Sequence, residues 1–86
     1  MLIFDQIGRD VAEQVRDKCR KGTRYEDVRL CILVGTDTLY AAMGECQGRV
    51  PEIAMEVYNN RTIRGFRLYR VIDDFEGWRI VEAPEK

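Results

Sequence analysis

The sequence has 86 residues, 45% of them apolar and 34% charged, and its 14 basic side chains nearly balance its 15 acidic ones. This length predicts one domain, residues 1–86, which buries only about 60 to 65% of the surface that the unfolded chain exposes. No apolar run approaches the roughly 20 residues of a membrane span, and the first residues do not read as a secretion signal. Three widely spaced cysteines do not fit a disulfide framework, so we expect reduced thiols and a cytoplasmic location.

The first element is predicted to be an amphipathic helix over residues 4–21. Its apolar side chains recur every three or four positions, at Phe4, Ile7, Val11, Val15 and Cys19. Gly22 follows and supplies the left-handed residue with which many helices end. We expect the whole apolar stripe, Cys19 included, to pack inward.

The next segment predicts a central strand and a short helix. Residues 28–34 (VRLCILV) are almost continuously apolar after Arg29, which is typical of a strand that is covered on both faces. A turn at residues 35–37 follows, in which Thr36 or Asp37 is expected to cap a helix. The helix itself is predicted over about residues 38–47, from the spacing of Leu39, Met43 and Cys46.

The second half of the chain predicts three strands. Residues 52–58 (EIAMEVY) alternate and end at two asparagines, and residues 63–72 alternate again, with Gly65 marking a bulge or bend. Residues 73–77 (DDFEG) predict a hairpin-type loop that leads into a last strand over residues 78–81. The predicted fold class is therefore α+β, with two helices packed on a small, mainly antiparallel four-stranded sheet in the order α-β-α-β-β-β.

The composition limits which catalytic chemistry is available. The chain contains neither histidine nor serine, so it lacks the commonest general base and a common nucleophile. Cys19, Cys31 and Cys46 all fall on predicted apolar faces, which favours small core residues over reactive thiols. We therefore predict no catalytic residue and expect a protein that is not an enzyme.

No metal or cofactor site is predicted either. Three isolated cysteines without histidine do not provide the paired ligands of a zinc site. Asp73, Asp74 and Glu76 form an acidic loop, but their spacing does not match a calcium-binding loop, and solvated hairpin loops are often acidic.

Residues 61–70 (RTIRGFRLYR) are the main electrostatic feature, because they carry four arginines and no acidic residue. On a strand, Arg64 and Arg70 would share one face, while Arg67 and Tyr69 would share the other. These residues, together with Arg61, make up the candidate interaction surface.

Two interpretations of this arginine run stay open. In the structural one, the guanidinium groups pair with carboxylates on neighbouring strands, with Glu52, Glu56 and Glu82 as candidates. In the functional one, the arginines contact an anion or a nucleic acid, and Tyr69 and Trp78 are possible stacking partners for bases.

The run LCILVGTDTLYAAMGE, followed after a gap by TIRGFRLYRV and GWRIVE, resembles a pattern in small uncharacterised phage proteins and in the major capsid proteins of tailed phages. There a strand ends in a polar turn, a helix follows, and a later glycine-aromatic step opens a strand. The resemblance covers residues 28–82, and the chain lacks the long spine helix and extended loop of a shell-forming capsid protein. It implies a detached domain of that shape, or a phage or mobile-element origin, and it transfers no functional residue.

We therefore expect an interaction protein that acts through protein-protein contacts. A homodimer is expected because a small core and an unpaired sheet edge both favour association. No motif names a protein partner, and no membrane association is expected. The alternative function is an anion-binding or nucleic-acid-binding module that uses residues 61–70.

Overall fold

The computed structural model describes residues 1–72 and 75–83. Its elements are α1 (Ile3–Arg20), a 3-10 turn (Tyr25–Asp27), β1 (Leu30–Gly35), α2 (Thr36–Gly44), α3 (Glu52–Asn60), β2 (Thr62–Ile63), β3 (Phe66–Val71) and β4 (Trp78–Glu82). The strands form one sheet in the order β2-β3-β1-β4. The α+β class and the four-stranded sheet are confirmed, but the described residues form three α-helices, and the sheet is mixed because β1 and β3 are parallel.

The hydrophobic core lies between the helices and one face of the sheet. β1 occupies the centre, as predicted, and points Ile32 and Val34 toward the helices. α1 contributes Phe4, Ile7 and Val11, all fully buried, to the same cluster. The other face of β1 takes no part in this cluster. The prediction that β1 would be buried on both faces is confirmed for all its residues except the partly buried Leu33, although the described helices pack against one face.

Residues 52–58, predicted as a strand, belong to helix α3. The buried positions Ala54 and Val57, with the partly buried Ile53, follow a helical spacing, whereas Met55 is 46% exposed. Glutamate, alanine and methionine favour helices, and this preference outweighs the short alternation that predicted a strand. α3 ends at Arg61, whose φ of 56° is left-handed.

Residues 63–72, predicted as one strand, are divided between β2 and β3. The chain reverses at Arg64 and Gly65, whose φ values of 54° and 84° are both positive, as in the tight turns that twisted hairpins favour. Ile63 consequently pairs with Phe66. Gly65 is a turn residue and not a bulge within a strand.

The segment between β3 and β4 does not form the predicted hairpin, because β1 lies between these two strands. Asp73 and Asp74 lie outside the described residues. Residues 75–77, the described part of this segment, pass over Gly35. A Cβ added to Gly35 would lie 2.0 Å from the carbonyl oxygen of Phe75. The Gly35 N–H donates to the Gly77 carbonyl at 2.9 Å. Gly35 thus makes room for the crossing.

Two threonines of α2 hold the ends of this crossing instead of capping the helix. The Thr36 hydroxyl donates to the Val71 carbonyl at 3.0 Å, and the Thr38 hydroxyl accepts the Gly77 N–H at 2.8 Å. α2 begins after Gly35 without a side-chain cap, so the prediction of Thr36 or Asp37 as the cap is wrong.

Candidate interaction surfaces

The structure separates the five residues of the predicted interaction surface into three places. Arg61 and Arg70 line a groove between α2, α3 and β3. Arg64 lies against α1, since a Cβ added at Gly8 would be 3.7 Å from its Nε atom. Arg67 and Tyr69 share the opposite face of the sheet, as their alternation predicted.

The predicted pairing of these arginines with carboxylates is not found in residues 1–72 and 75–83. The ion pairs there join Lys18 to Glu82 and Lys21 to Asp17. The hydrogen bond and the charge of Lys18 lower the pKa of Glu82. Glu82 therefore links β4 to α1 through an exposed ion pair and does not pair with the arginine run.

Glu56 holds the β2-β3 turn through its carboxylate. It accepts hydrogen bonds from the Thr62 hydroxyl at 2.6 Å and from the backbone N–H groups of Arg64 and Gly65 at 3.1 and 2.8 Å. Desolvation raises the pKa of Glu56, but these hydrogen bonds and the charge of Arg64 outweigh it, so the pKa lies below its ordinary value. Glu56 was predicted to pair with guanidinium groups, whereas its hydrogen bonds go to the backbone of the turn and to a hydroxyl.

The groove between α2, α3 and β3 has a volume of about 580 Å³. Its lining combines six largely apolar residues with two arginines: Leu39, Met43, Val57, Tyr58, Leu68, Ile72, Arg61 and Arg70. None of these residues carries a carboxylate. Ile72 is 81% exposed, and Met43 and Tyr58 are also exposed, so apolar surface is open to solvent beside two positive charges.

Small residues explain how the groove walls are positioned. Ala42 of α2 and Ala54 of α3 are fully buried and bring both helices close to the core. Cys46, which is 2% exposed, packs in the connection between the two helices. Burial, followed by the Cys46 thiol beside its hydroxyl, raises the pKa of Tyr58. Tyr58 therefore contacts Cys46 through its hydroxyl and lines the groove with an exposed ring.

The second surface is the sheet face that points away from the core, which we call the open sheet face. Its described residues on the three longer strands are Cys31, Leu33, Gly35, Arg67, Tyr69, Val71, Arg79 and Val81. None of them is acidic. The guanidinium of Arg67 lies 6.0 Å from the ring centroid of Tyr69, and that of Arg79 lies 5.6 Å from the ring centroid of Phe75. Arg79 and Phe75 were not predicted from the sequence, because their places on this face depend on the pairing of β4 with β1 and on the segment that crosses Gly35.

Trp78 belongs to the other side of the sheet. Its indole N–H donates to the Asp10 carboxylate of α1 at 2.8 Å, and its side chain packs against the core. Trp78 therefore lies on the sheet face opposite to Arg67 and Tyr69 and does not share a stacking surface with them.

The cysteines are only partly where they were predicted. Cys31 and Cys46 are buried, whereas Cys19 is exposed, so Cys19 is not a core residue. Among the described residues, no group of three or more cysteine or acidic side chains is arranged to hold a metal ion. Two members of the acidic loop, Asp73 and Asp74, lie outside that part of the chain. The described helices include none with the length and apolarity to cross a membrane.

The sequence matches no protein family, and neither a curated protein nor a solved structure resembles it closely enough to count as a match.

Proposed function

We propose that this chain is a non-enzymatic interaction protein, and that the groove between α2, α3 and β3 binds a segment of a partner protein. The observation that carries the proposal is the combination of an exposed apolar lining with Arg61 and Arg70, without a carboxylate among the described lining residues. The matching partner is a segment that presents apolar side chains next to aspartate or glutamate.

The two parts of the groove would contribute differently to binding. Covering Met43 and Ile72 removes apolar area from water, which stabilises a complex by about 25 cal/mol per Å². A guanidinium group can hold a carboxylate through two parallel hydrogen bonds, so the arginines fix the orientation of the segment and exclude basic partners. Among the described residues, Arg61 and Arg70 have no ion-pair partner within the chain that would compete.

A selection from a library of random displayed peptides tests this proposal. We expect the enriched peptides to combine large apolar residues with aspartate or glutamate. The double variant Arg61→Gln and Arg70→Gln should lose the preference for acidic residues. The matched control, Arg67→Gln with Arg79→Gln, removes the same charge from the open sheet face and should keep the preference. Enriched peptides without acidic residues, or an equal loss in both double variants, would contradict the proposal.

We also propose that the chain self-associates through the outer edge of β4. Arg29 accepts a hydrogen bond from the Ala83 N–H, and Gly35 donates to the Gly77 carbonyl. Bonded and non-bonded pairs alternate along an antiparallel ladder, so the odd-numbered residues of β4 point their backbone groups at β1. The backbone groups that face outward, away from β1, belong to Trp78, Ile80 and Glu82.

These outward groups are self-complementary in one register. If Ile80 pairs with Ile80 of a second copy, Trp78 faces Glu82 of that copy and Arg79 faces Val81, so no like charges lie directly opposite each other. All five β4 residues of each copy then lie opposite a residue of the other copy. β2, at the other edge, has only two residues and offers much less.

Light scattering coupled to size-exclusion chromatography tests the dimer. We expect a dimer mass at tens of micromolar for the natural chain and a monomer mass for Ile80→Pro, because proline removes an outward N–H and leaves the β1 ladder intact. Circular dichroism checks that this variant is folded. A monomer mass for the natural chain would reject the dimer. The phage or mobile-element origin and the cytoplasmic location stay predictions.

A further inference from the structure

We infer that the open sheet face binds single-stranded nucleic acid, with Tyr69 and Phe75 stacking on bases and Arg67 and Arg79 contacting phosphates. This site is distinct from the groove and does not depend on the function proposed for it. Of the residues in the original arginine run, only Arg67 and Tyr69 take part. Their partners come from β4 and from the segment that crosses Gly35.

The charge on this face is entirely positive within the described strands. Arg67 and Arg79 are exposed and lie on the two strands that flank β1. Two strand spacings and a two-residue offset place their Cα atoms about 12 Å apart. The acidic neighbour Glu82 points to the other face, where it pairs with Lys18. On its strands this face therefore offers a polyanion two guanidinium groups and no carboxylate, although the net charge of the whole chain is -1. The exposed Glu76 of the crossing segment is an acidic residue beside the face, since its Cα would lie 3.4 Å from a Cβ added at Gly35.

Each arginine is accompanied by an aromatic ring. Tyr69 is 48% exposed, next to Leu33 of the central strand, and Arg67 lies within cation-π distance of its ring. Phe75 and Arg79 form the same combination at the other flank. A positive groove or surface with stacking rings is the general arrangement by which proteins hold single strands without reading their sequence. The repeated combination of ring and guanidinium therefore supplies both contacts at two places.

The shape of the face favours a single strand over a duplex or a second protein. A sheet face with its helices behind it presents aromatic rings to unstacked bases, whereas reading the sequence of a duplex requires an element that enters a groove. The centre of the face offers little apolar area for a protein interface, because Cys31 is already only 8% exposed beneath its neighbours.

Fluorescence anisotropy with end-labelled oligothymidylate and oligouridylate measures this binding directly. Tyr69→Leu should weaken it by at least about fivefold through the loss of stacking. Arg67→Gln should weaken binding at low salt and reduce the dependence of log affinity on log salt by about one ion. The emission of Trp78, which lies on the opposite face, reports that each variant is folded.

The matched control is Arg61→Gln with Arg70→Gln, which removes two charges from the groove and should leave the affinity within about twofold. A duplex of the same length should compete weakly. The inference is overturned if neither oligonucleotide binds at low salt, or if binding is unaffected by both Tyr69→Leu and Arg67→Gln. It is also overturned if the groove variant loses as much affinity as Arg67→Gln, because the attraction would then be unspecific.

Discussion

Gly35→Ala is expected to destabilise the protein severely, because the segment between β3 and β4 crosses directly over this residue. An ideal Cβ at Gly35 would lie 2.0 Å from the carbonyl oxygen and 3.0 Å from the carbonyl carbon of Phe75. Ordinary contact begins at 3.4 Å, so the carbonyl oxygen would have to move by about 1.4 Å. The obstacle is backbone and cannot be avoided by a side-chain rotation.

The magnitude follows from the contacts that such a movement disturbs. Overpacking of this kind costs about 1 to 3 kcal/mol. The Gly35 N–H bond to Gly77 and the Gly77 N–H bond to Thr38 hold the same segment, and each contributes about 1 kcal/mol. We expect a loss of about 3 to 5 kcal/mol, which is a large part of the roughly 4 to 13 kcal/mol typical of a domain of this size.

Urea unfolding followed by the fluorescence of Trp78 measures the effect, since this is the single tryptophan of the chain. Gly44→Ala is the matched control. Gly44 is the last residue of α2 and has open space around it, so alanine should raise the stability by up to about 1 kcal/mol. A Gly35→Ala variant within about 0.5 kcal/mol of the natural chain would refute the argument for the crossing segment.

Three further predictions concern single residues. Folding lowers the pKa of Glu56, so its carboxylate stabilises the folded state above the ordinary pKa of 4.5, and this stabilisation is lost as the pH falls through the folded-state pKa. The urea midpoint of the natural chain should show this pH dependence, and that of Glu56→Gln should lack it. Arg61→Gly should stabilise the fold by about 1 kcal/mol in the same assay, because Arg61 adopts a left-handed conformation; an unchanged or lower midpoint would contradict this. A thiol reagent should modify Cys19 in the native protein, and Cys31 and Cys46 only in denaturant; rapid labelling of all three would contradict the burial described above.

The sequence predicted those elements whose patterns are long or unambiguous. α1 is predicted by an apolar stripe that continues over several helical turns. β1 is predicted by a short, almost continuously apolar run, which is typical of a buried strand. The prediction of a strand over residues 52–58 failed because Ile53 and Val57 fit both the alternation of a strand and the spacing of a helix. A segment this short does not distinguish a strand from a helix. The helix preference of glutamate, alanine and methionine was the better guide there.

The connection between β3 and β4 could not be predicted from local sequence. Residues 73–77 are typical of a turn, and a turn between two strands predicts a hairpin. The outcome depends on β1, more than thirty residues earlier, which pairs parallel with β3 and occupies the position next to β4. The same long-range pairing created the open sheet face, so Arg79 and Phe75 gave no local signal of belonging to it.

The backbone conformation of two arginines distinguishes a structural role from a binding role. Arg61 and Arg64 both adopt left-handed φ values, which cost a side-chain-bearing residue about 1 kcal/mol and favour asparagine or glycine. At Arg64 this conformation lets the backbone N–H groups of Arg64 and Gly65 donate to the Glu56 carboxylate, so it stabilises the fold. The backbone of Arg61 also serves the fold, because its N–H donates to the Val57 carbonyl and its carbonyl accepts the Leu68 N–H, both at 2.9 Å. Its side chain, in contrast, forms no ion pair within the described residues. Asparagine stands one position earlier, at Asn60, yet arginine occupies the strained site, and its side chain lines the groove. The left-handed cap requires only the backbone of Arg61, so its guanidinium stays available to a partner in the groove, which supports the groove as a binding site.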